Sequence, residues 1–234
     1  MVNIDNVYKT VLTILNKENR GYVTPREFND YARQSQLEIF ESYFSAANRA
    51  VGNESDYSDT IRNVGEKISY FENEAILNEI VFTDALGGGI GDYYPYPVNF
   101  YRLGSVDVGG VFVQEISSRD YSFVNRAPLT RPTVSSPVYM LHEGGIVIKP
   151  RVGITQATLS YVRRPNDPIW VGTSVAGQII ATPANAVYSN FELHKSEETE
   201  LVAKIVGLAG VTIKAVDVAQ IAAQKETQII QSEQ

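Results

Sequence analysis

The sequence predicts an α+β fold, because helical periodicity at both ends of the chain encloses a central stretch of strand-like alternation. In the first third, apolar residues recur at spacings of three and four. After about Ala75, glycine and proline become frequent and the apolar period falls to two, and a helical pattern returns near Ser196. We therefore expect an N-terminal helical bundle, a central antiparallel β-rich insertion, and C-terminal helices that return to the bundle and end in an extended tail.

Three helices are predicted before residue 75. The first has one apolar face and stops at Gly21; its apolar residues are Ile4, Val7, Tyr8, Val11, Leu12 and Leu15. The second begins with a capping box, Thr24-Pro25-Arg26-Glu27, in which threonine and glutamate satisfy each other's backbone N–H groups, and it continues to about Ala50. The third carries an apolar residue at every third or fourth position: Tyr57, Ile61, Val64, Ile68 and Phe71.

The central region predicts hairpins joined by loops. One hairpin, between residues 105 and 117, turns at Gly109-Gly110, and a second, between residues 138 and 149, turns at Gly144-Gly145. A further strand is expected over Ala157–Arg163, and the stretch Pro128–Pro137 is a loop rich in proline, serine and threonine. The glycine-rich run Gly87–Asp92 is predicted to be a flexible loop.

The C-terminal region predicts a helix capped by Ser196, with acidic residues at its positive end and Gly210 at its end. A last helix is expected from Val216 to about Ile230, before a glutamine-rich tail. The predicted boundaries are 1–74 for the N-terminal helices, 75–188 for the β-rich domain, 189–215 for the C-terminal bundle helix and 216–234 for a helical or extended arm.

Composition limits the function. The 234 residues carry a formal net charge of −7, which disfavours tight binding of nucleic acid through neutralised phosphates. The chain has no cysteine, which excludes disulfides and thiolate chemistry. Neither a signal-peptide pattern nor an apolar run long enough to span a bilayer is visible, so we expect no membrane association. The 14 tyrosines fit either a protein interface or the strands of a β-rich domain.

The sequence contains few residues in a catalytic or metal-binding pattern. His142 and His194 form no zinc-binding pair and are interpreted as an exposed strand residue and a residue preceding a helix cap. The glycines of Gly87–Asp92 lack the spacing of a phosphate-binding loop. No G-x-S-x-G elbow or calcium-loop pattern occurs. We therefore predict no catalytic residue, no metal ligand and no cofactor.

Several stretches share the pattern of one known family. They are NKENRGYVTPREFN at 16–29, YPVNFYRL at 96–103, PLTRPT at 128–133, YVRRP at 161–165 ahead of Trp170, and the segment from Glu200 to Lys214. Together they resemble the head–tail connector proteins (adaptor or neck-ring proteins) of tailed bacteriophages, including crAss-like and marine phages. The likeness covers most of the chain. Asn99 departs from it, since the family's pattern has an acidic residue there.

The resemblance implies a non-enzymatic virion protein, assembled in the host cytoplasm and located at the head–tail junction. Such proteins typically form rings of twelve copies, and these rings bind the portal protein and further neck or tail rings. Their channel passes double-stranded DNA during genome packaging and ejection without reading its sequence. In related adaptors C-terminal segments dock on the portal, so the resemblance implies a C-terminal docking arm here: Val218, Ile221, Gln224, Gln228, Ile229 and Ile230.

The aromatic residues of the second predicted helix are candidates for the contact between subunits. At about 100° per residue they spread over roughly 220° of the helix, more than the single stripe of a surface helix. We expect part of this set to build the bundle core and part to meet a neighbouring subunit, and a purely intramolecular role stays open. The candidate interface residues are Tyr31, Phe40, Tyr43 and Phe44.

Three other functions remain open at this point. The chain could be another neck or tail component, such as a stopper or tail-tube ring, which ring size and portal binding would distinguish. It could be a hydrolytic tail module, which requires paired carboxylates across a groove. It could be a carbohydrate-binding module that uses Trp170 and the tyrosines near Tyr93; exposed coplanar rings favour that function, and burial of Trp170 weakens it.

Overall fold

The computed structural model describes residues 1–17, 23–52, 57–83, 89–150, 153–154, 156–175 and 178–212. These residues form helices at both ends of the chain and mainly antiparallel sheets between them, which confirms the predicted α+β class. The chain divides into two compact units. The helical unit joins Met1–Tyr70 to the described chain from Pro165 onward, and the β unit is Phe71–Arg164.

The elements have the following bounds. The helices are α1 (Ile4–Lys17), α2 (Pro25–Gly52), α3 (Tyr57–Ser69), α4 (Ser118–Val124) and α5 (Glu198–Thr212), with a 3-10 turn at Lys195–Glu197. The strands are β1 (Glu72–Asn78), β2 (Ile80–Thr83), β3 (Gly89–Pro95), β4 (Phe100–Val108), β5 (Val111–Phe112), β6 (Gln114–Glu115), β7 (Val138–His142), β8 (Gly145–Lys149), β9 (Gln156–Arg163), β10 (Gly172–Val175) and β11 (Gln178–Ala181).

In the helical unit, α5 packs on both α1 and α2, and α2 packs on α3. Each helix buries one apolar face, and α5 buries nearly all of its circumference, as expected for a helix at the centre of a bundle. The C-terminal helix therefore returns to the N-terminal bundle. The core of the helical unit includes Ile4, Val7, Val11, Leu15, Phe28, Ile39, Leu201 and Ile205.

The capping box predicted at the start of α2 is confirmed. The backbone N–H of Thr24 donates to Glu27 Oε2 at 2.9 Å, and the N–H of Glu27 donates to Thr24 Oγ1 at 3.3 Å. The backbone N–H and the hydroxyl of Thr24 lower the pKa of Glu27, because both donate to its ionised carboxylate. The reciprocal bonds fix where α2 begins.

The predicted cap of the C-terminal helix was wrong. His194 is the cap: its Nδ1 accepts from the N–H of Ser196 at 3.3 Å, and the 3-10 turn leads into α5 at Glu198. The predicted stop at Gly210 was also wrong, because α5 continues to Thr212. Burial of the apolar side chains around this glycine outweighs its intrinsic cost of about 1 kcal/mol in a helix.

The β unit has two sheets with strand orders β1-β9-β4-β5 and β2-β3-β8-β7-β6. Among the described residues, neighbouring strands in it pair antiparallel, except that β6 and β7 are parallel. Side chains of both sheets form one core that includes Val106, Tyr139, Ile146 and Leu159. The hairpin predicted at Gly109-Gly110 is confirmed: both glycines have positive φ, 58° and 82°, as a two-residue turn between twisted strands requires.

Two predictions in the β unit need correction. The second hairpin turns one residue earlier, at Glu143-Gly144, and Gly145 opens β8, where a Cβ would lie 2.0 Å from the carbonyl oxygen of Tyr94. Glycine is needed there because β3 and β8 approach closely. Of the predicted flexible loop Gly87–Asp92, residues 89–92 belong to β3, where Gly89 and Asp92 pair with β2; residues 87 and 88 lie outside the described chain.

The β unit ends at Arg164, whereas we expected the β-rich domain to extend to residue 188. The reason is Trp170, which is 2% exposed and belongs to the helical unit. Its backbone N–H donates to Asn29 Oδ1 (2.9 Å) and its carbonyl accepts from Asn29 Nδ2 (3.1 Å). Its indole N–H donates to Asp5 Oδ1 (3.1 Å), and the ring stacks on Tyr8 with centroids 4.0 Å apart. These contacts fix the returning chain on α1 and α2.

We expect Asn29→Ala to lower the free energy of unfolding by roughly 2–4 kcal/mol, because it leaves the buried backbone N–H and carbonyl of Trp170 without Asn29. Urea denaturation measures this change. The matched control is Asn73→Ala at an exposed position of β1, for which we expect about 0.5 kcal/mol or less. Equal losses in the two variants would contradict the role given to Asn29.

A second prediction concerns high pH. Burial and the Glu115 carboxylate, which accepts from the Tyr139 hydroxyl at 3.2 Å, raise the pKa of Tyr139 from 10.0 to about 12. The folded state therefore holds this proton more tightly, so the stabilisation is complete below pH 10 and is lost as the pH rises towards 12.

Denaturation midpoints across this interval should fall less steeply for Tyr139→Phe than for the unmodified protein. Glu115→Gln should move the tyrosinate titration of Tyr139 back towards its ordinary value. Parallel loss of stability in the unmodified and Tyr139→Phe proteins would show that Tyr139 is not responsible.

Candidate functional site

Three of the four predicted interface residues lie in the chain's own core. Phe40, Tyr43 and Phe44 are 0%, 4% and 8% exposed, and the rings of Phe40 and Phe44 meet edge to face with centroids 5.2 Å apart. Tyr31 is half-buried. The intramolecular alternative thus accounts for three of these rings, because packing inside one chain leaves them almost no area for a neighbour. Only Tyr31 presents part of its side chain on the surface.

The predicted C-terminal docking arm lies outside the described residues, the last of which is Thr212. Its assignment therefore stays a prediction. The residues concerned are Val218, Ile221, Gln224, Gln228, Ile229 and Ile230.

The burial of Trp170 counts against a carbohydrate-binding module built on that ring. Tyr94 is also buried, and its hydroxyl donates to the carbonyl of Ile154 at 2.9 Å. The neighbouring Tyr93 stacks on His142 with ring centroids 6.2 Å apart. The aromatic residues that suggested sugar binding are thus used for packing within the chain or against each other.

The helical unit contains an open polar cleft of ≈ 540 Å³ between α3 and the 3-10 turn. A partly buried ion pair stands beside it: Lys67 Nζ lies 2.7 Å from Glu197 Oε1, and the lysine and glutamate side chains are 24% and 4% exposed. The same ammonium lies 5.5 Å from the centroid of the Tyr43 ring. The residues that line the cleft are Asn63, Glu66, Lys67, Ser69, Tyr70, His194 and Ser196.

A serine and a histidine meet in this cleft, but their geometry is that of a cap. Ser196 Oγ lies 2.9 Å from His194 Nδ1 and donates to Glu197 Oε1 at 3.2 Å. In a catalytic triad the carboxylate accepts from the histidine and holds it towards the serine. Here the carboxylate contacts the serine and the lysine, while the imidazole accepts from the Ser196 backbone. The arrangement joins α3 to the start of α5 and supports structure.

The most unusual surface is the segment Ser117–Ser136, called the 117–136 segment below. It comprises α4 and the following turns, and none of its residues is buried. It is nevertheless folded: Asp120 N–H donates to Ser117 Oγ (3.1 Å), Thr130 Oγ1 donates to the Val124 carbonyl (3.1 Å), and Thr133 and Ser136 form an isolated bridge.

The 117–136 segment combines apolar and basic side chains. Phe123, Leu129 and Val134 are 62%, 100% and 51% exposed. Three arginines, Arg119, Arg126 and Arg131, stand against one carboxylate, Asp120, in a chain that is acidic overall. Residues 128–137 were predicted only as a loop, and α4 was not predicted. The detectable signal was this local excess of arginine beside apolar residues in a chain of net charge −7.

In the part of the chain that the structure describes, no group of three or more histidine, aspartate or glutamate side chains could hold a metal ion. Within the same residues, no helix has both the length and the apolar character needed to cross a bilayer.

Neither the models of known protein families nor the curated proteins contain a match to this sequence.

We expect Lys67→Met to lower the free energy of unfolding by roughly 3–5 kcal/mol, because it leaves the buried Glu197 carboxylate without its cation. The matched control is Arg62→Met on the same helix, whose partner Glu66 lies 3.4 Å away in an exposed pair with side chains 77% and 67% exposed. The control should lose at most about 1 kcal/mol. Chemical denaturation of both variants checks this, and similar losses would contradict a structural role for the Lys67–Glu197 pair.

Proposed function

We propose that this protein is a non-enzymatic structural subunit of a ring in the neck of a tailed bacteriophage. In this function it binds the portal protein and extends the DNA channel towards the tail. The resemblance of several sequence stretches to head–tail connector proteins suggests the function. The structural observation that supports it best is the 117–136 segment.

That segment supports an assembly role for an energetic reason. A helix as short as α4 gains little stability on its own, and most helical stability in proteins comes from tertiary packing. Here no α4 residue is buried within the chain, and Phe123 and Leu129 stay exposed. Apolar side chains that gather on one ordered surface with arginine are typical of protein interfaces, where aromatic residues and arginine are enriched.

Charge is compatible with a channel that DNA passes through. Tight DNA binding gains its free energy from lysine and arginine side chains that neutralise phosphates. A subunit with a net charge of −7 supplies little of that attraction overall, so a ring of such subunits would let the duplex slide. The basic residues of the 117–136 segment would then be used in contacts between proteins.

Co-expression with the portal protein of the same phage, followed by electron microscopy, tests the proposal. We expect closed rings of this protein coaxial with the portal ring. Particles in which the protein remains a single copy, or does not bind the portal at all, would contradict it. Rings that form without the portal and bind a different neck or tail protein would identify a stopper or tail-tube component instead.

A truncation after residue 215 tests the predicted docking arm separately. Because the predicted arm acts in docking, we expect the shortened protein to keep its melting temperature and to lose portal attachment. Normal attachment of the truncated protein would refute the arm while leaving the ring proposal intact. Val98→Ser, which changes a fully exposed apolar residue of the β unit, serves as the control and should attach normally.

A further inference from the structure

We infer that the 117–136 segment of one copy docks on the outer face of the four-stranded sheet of a second copy. This inference deepens the proposed function, since it names the contact that would join neighbouring subunits, and it rests on that function only for closure into a ring. It is carried by the strand register, the exposure of both surfaces and the opposite charges that they carry.

The outer face of the four-stranded sheet has apolar side chains at both edges. The register aligns Ile76 of β1 with Thr158 of β9, Thr158 with Asp107 of β4, and Asp107 with Phe112 of β5. Partners across neighbouring strands project from the same face of a sheet. Ile76 and Phe112, at the two ends of this row, are 68% and 66% exposed, so both ends of the row are open to contact.

Part of the middle of this face carries small residues. The next row pairs Glu74 with Ser160, and beside them stands Gly104, where a Cβ would lie 2.8 Å from the Ser160 carbonyl oxygen. Glycine and serine add little side-chain bulk here between the two apolar edges. A narrow element with projecting apolar side chains, such as α4 with the turn after it, therefore has room to approach this part of the face.

The two surfaces are complementary in charge. The sheet face carries three carboxylates, Glu72, Glu74 and Asp107, against one guanidinium, Arg102, which the register places in the row of Glu72. The 117–136 segment carries three guanidiniums against one carboxylate. Opposite charges of this kind guide association and fix its register.

The symmetry of the contact follows from its two halves. The segment and the sheet face are different surfaces of one chain, and both are exposed in that chain. A copy that donates its segment to one neighbour keeps its sheet face free to receive another. Such head-to-tail contacts repeat, and they close into a ring when the rotation between copies permits it.

Disulfide trapping tests the contact directly, because the chain contains no cysteine. Leu129→Cys copies are mixed with Ile76→Cys copies under mild oxidation, both alone at high protein concentration and in portal-bound assemblies. We expect the Leu129–Ile76 cross-linked dimer to exceed either single-variant dimer at least tenfold. The matched control replaces Ile76→Cys by Val98→Cys, which is at least as exposed but lies off the sheet face and should not be enriched.

Charge reversal supplies a second, independent readout. Arg126→Glu with Arg131→Glu should weaken self-association by about tenfold or more, and Glu72→Arg with Glu74→Arg should do the same. Mixing these two variants should restore association through the reversed pair of charges. Circular dichroism and thermal melting confirm that each variant is folded, as expected for substitutions at exposed positions.

The outcomes separate this inference from the proposed function. Portal-bound rings without enriched cross-linking between Leu129 and Ile76 would overturn the docking contact and leave the connector proposal standing. Specific cross-linking without portal binding would support the contact and contradict the connector. Arginine variants that lose binding to duplex DNA or to the portal while self-association is unchanged would show that the segment serves another partner, and would overturn the inference.

Discussion

The helical unit depends on how α2 holds the chain when it returns from the β unit. Two carboxamide side chains on this helix, Asn29 and Gln36, are seven residues apart and therefore lie on the same face, two turns from each other. Asn29 binds both backbone groups of Trp170, and Gln36 donates to the Asn166 carbonyl (2.7 Å) and accepts from the Glu192 N–H (3.0 Å). These two polar side chains thus form hydrogen bonds with the returning backbone, which lies outside regular helices and sheets at these points.

This constraint explains how one chain can carry an inserted unit. The chain leaves the helical unit at Tyr70 and re-enters it at Pro165, so nothing covalent nearby keeps the two crossing points together. β1 and β9 pair next to these crossing points, where the Arg163 N–H donates to the Phe71 carbonyl at 2.8 Å. Within the helical unit, hydrogen bonds to the carboxamides of α2, the stacking of Trp170 on Tyr8 and the Lys67–Glu197 pair hold the returning chain. Loops and hairpins of the β unit can then present surfaces for contact without weakening the bundle.

The surfaces proposed for function differ from the core in the exposure of their apolar side chains. Within the core, each ring and carboxamide has partners in its own chain, including the aromatic residues of α2 that the sequence suggested for contacts between subunits. The 117–136 segment and the outer face of the four-stranded sheet leave Phe123, Leu129, Ile76 and Phe112 exposed. Opposite charges on the two surfaces give a reason for one to cover the other in a neighbouring copy.

The sequence by itself determined the features that depend on local chemistry. The capping box, the helical periods, the glycine pair at residues 109 and 110 and the α+β order could all be read from residues a few positions apart. Tertiary structure decided the rest. Whether Trp170 is buried, whether the strand over residues 89–95 also joins β8, and where the β unit ends depend on partners 50 to 165 positions distant, such as Ile146 and Asp5. Periodicity also cannot tell a buried aromatic face from one that a second chain covers, because both present the same apolar spacing.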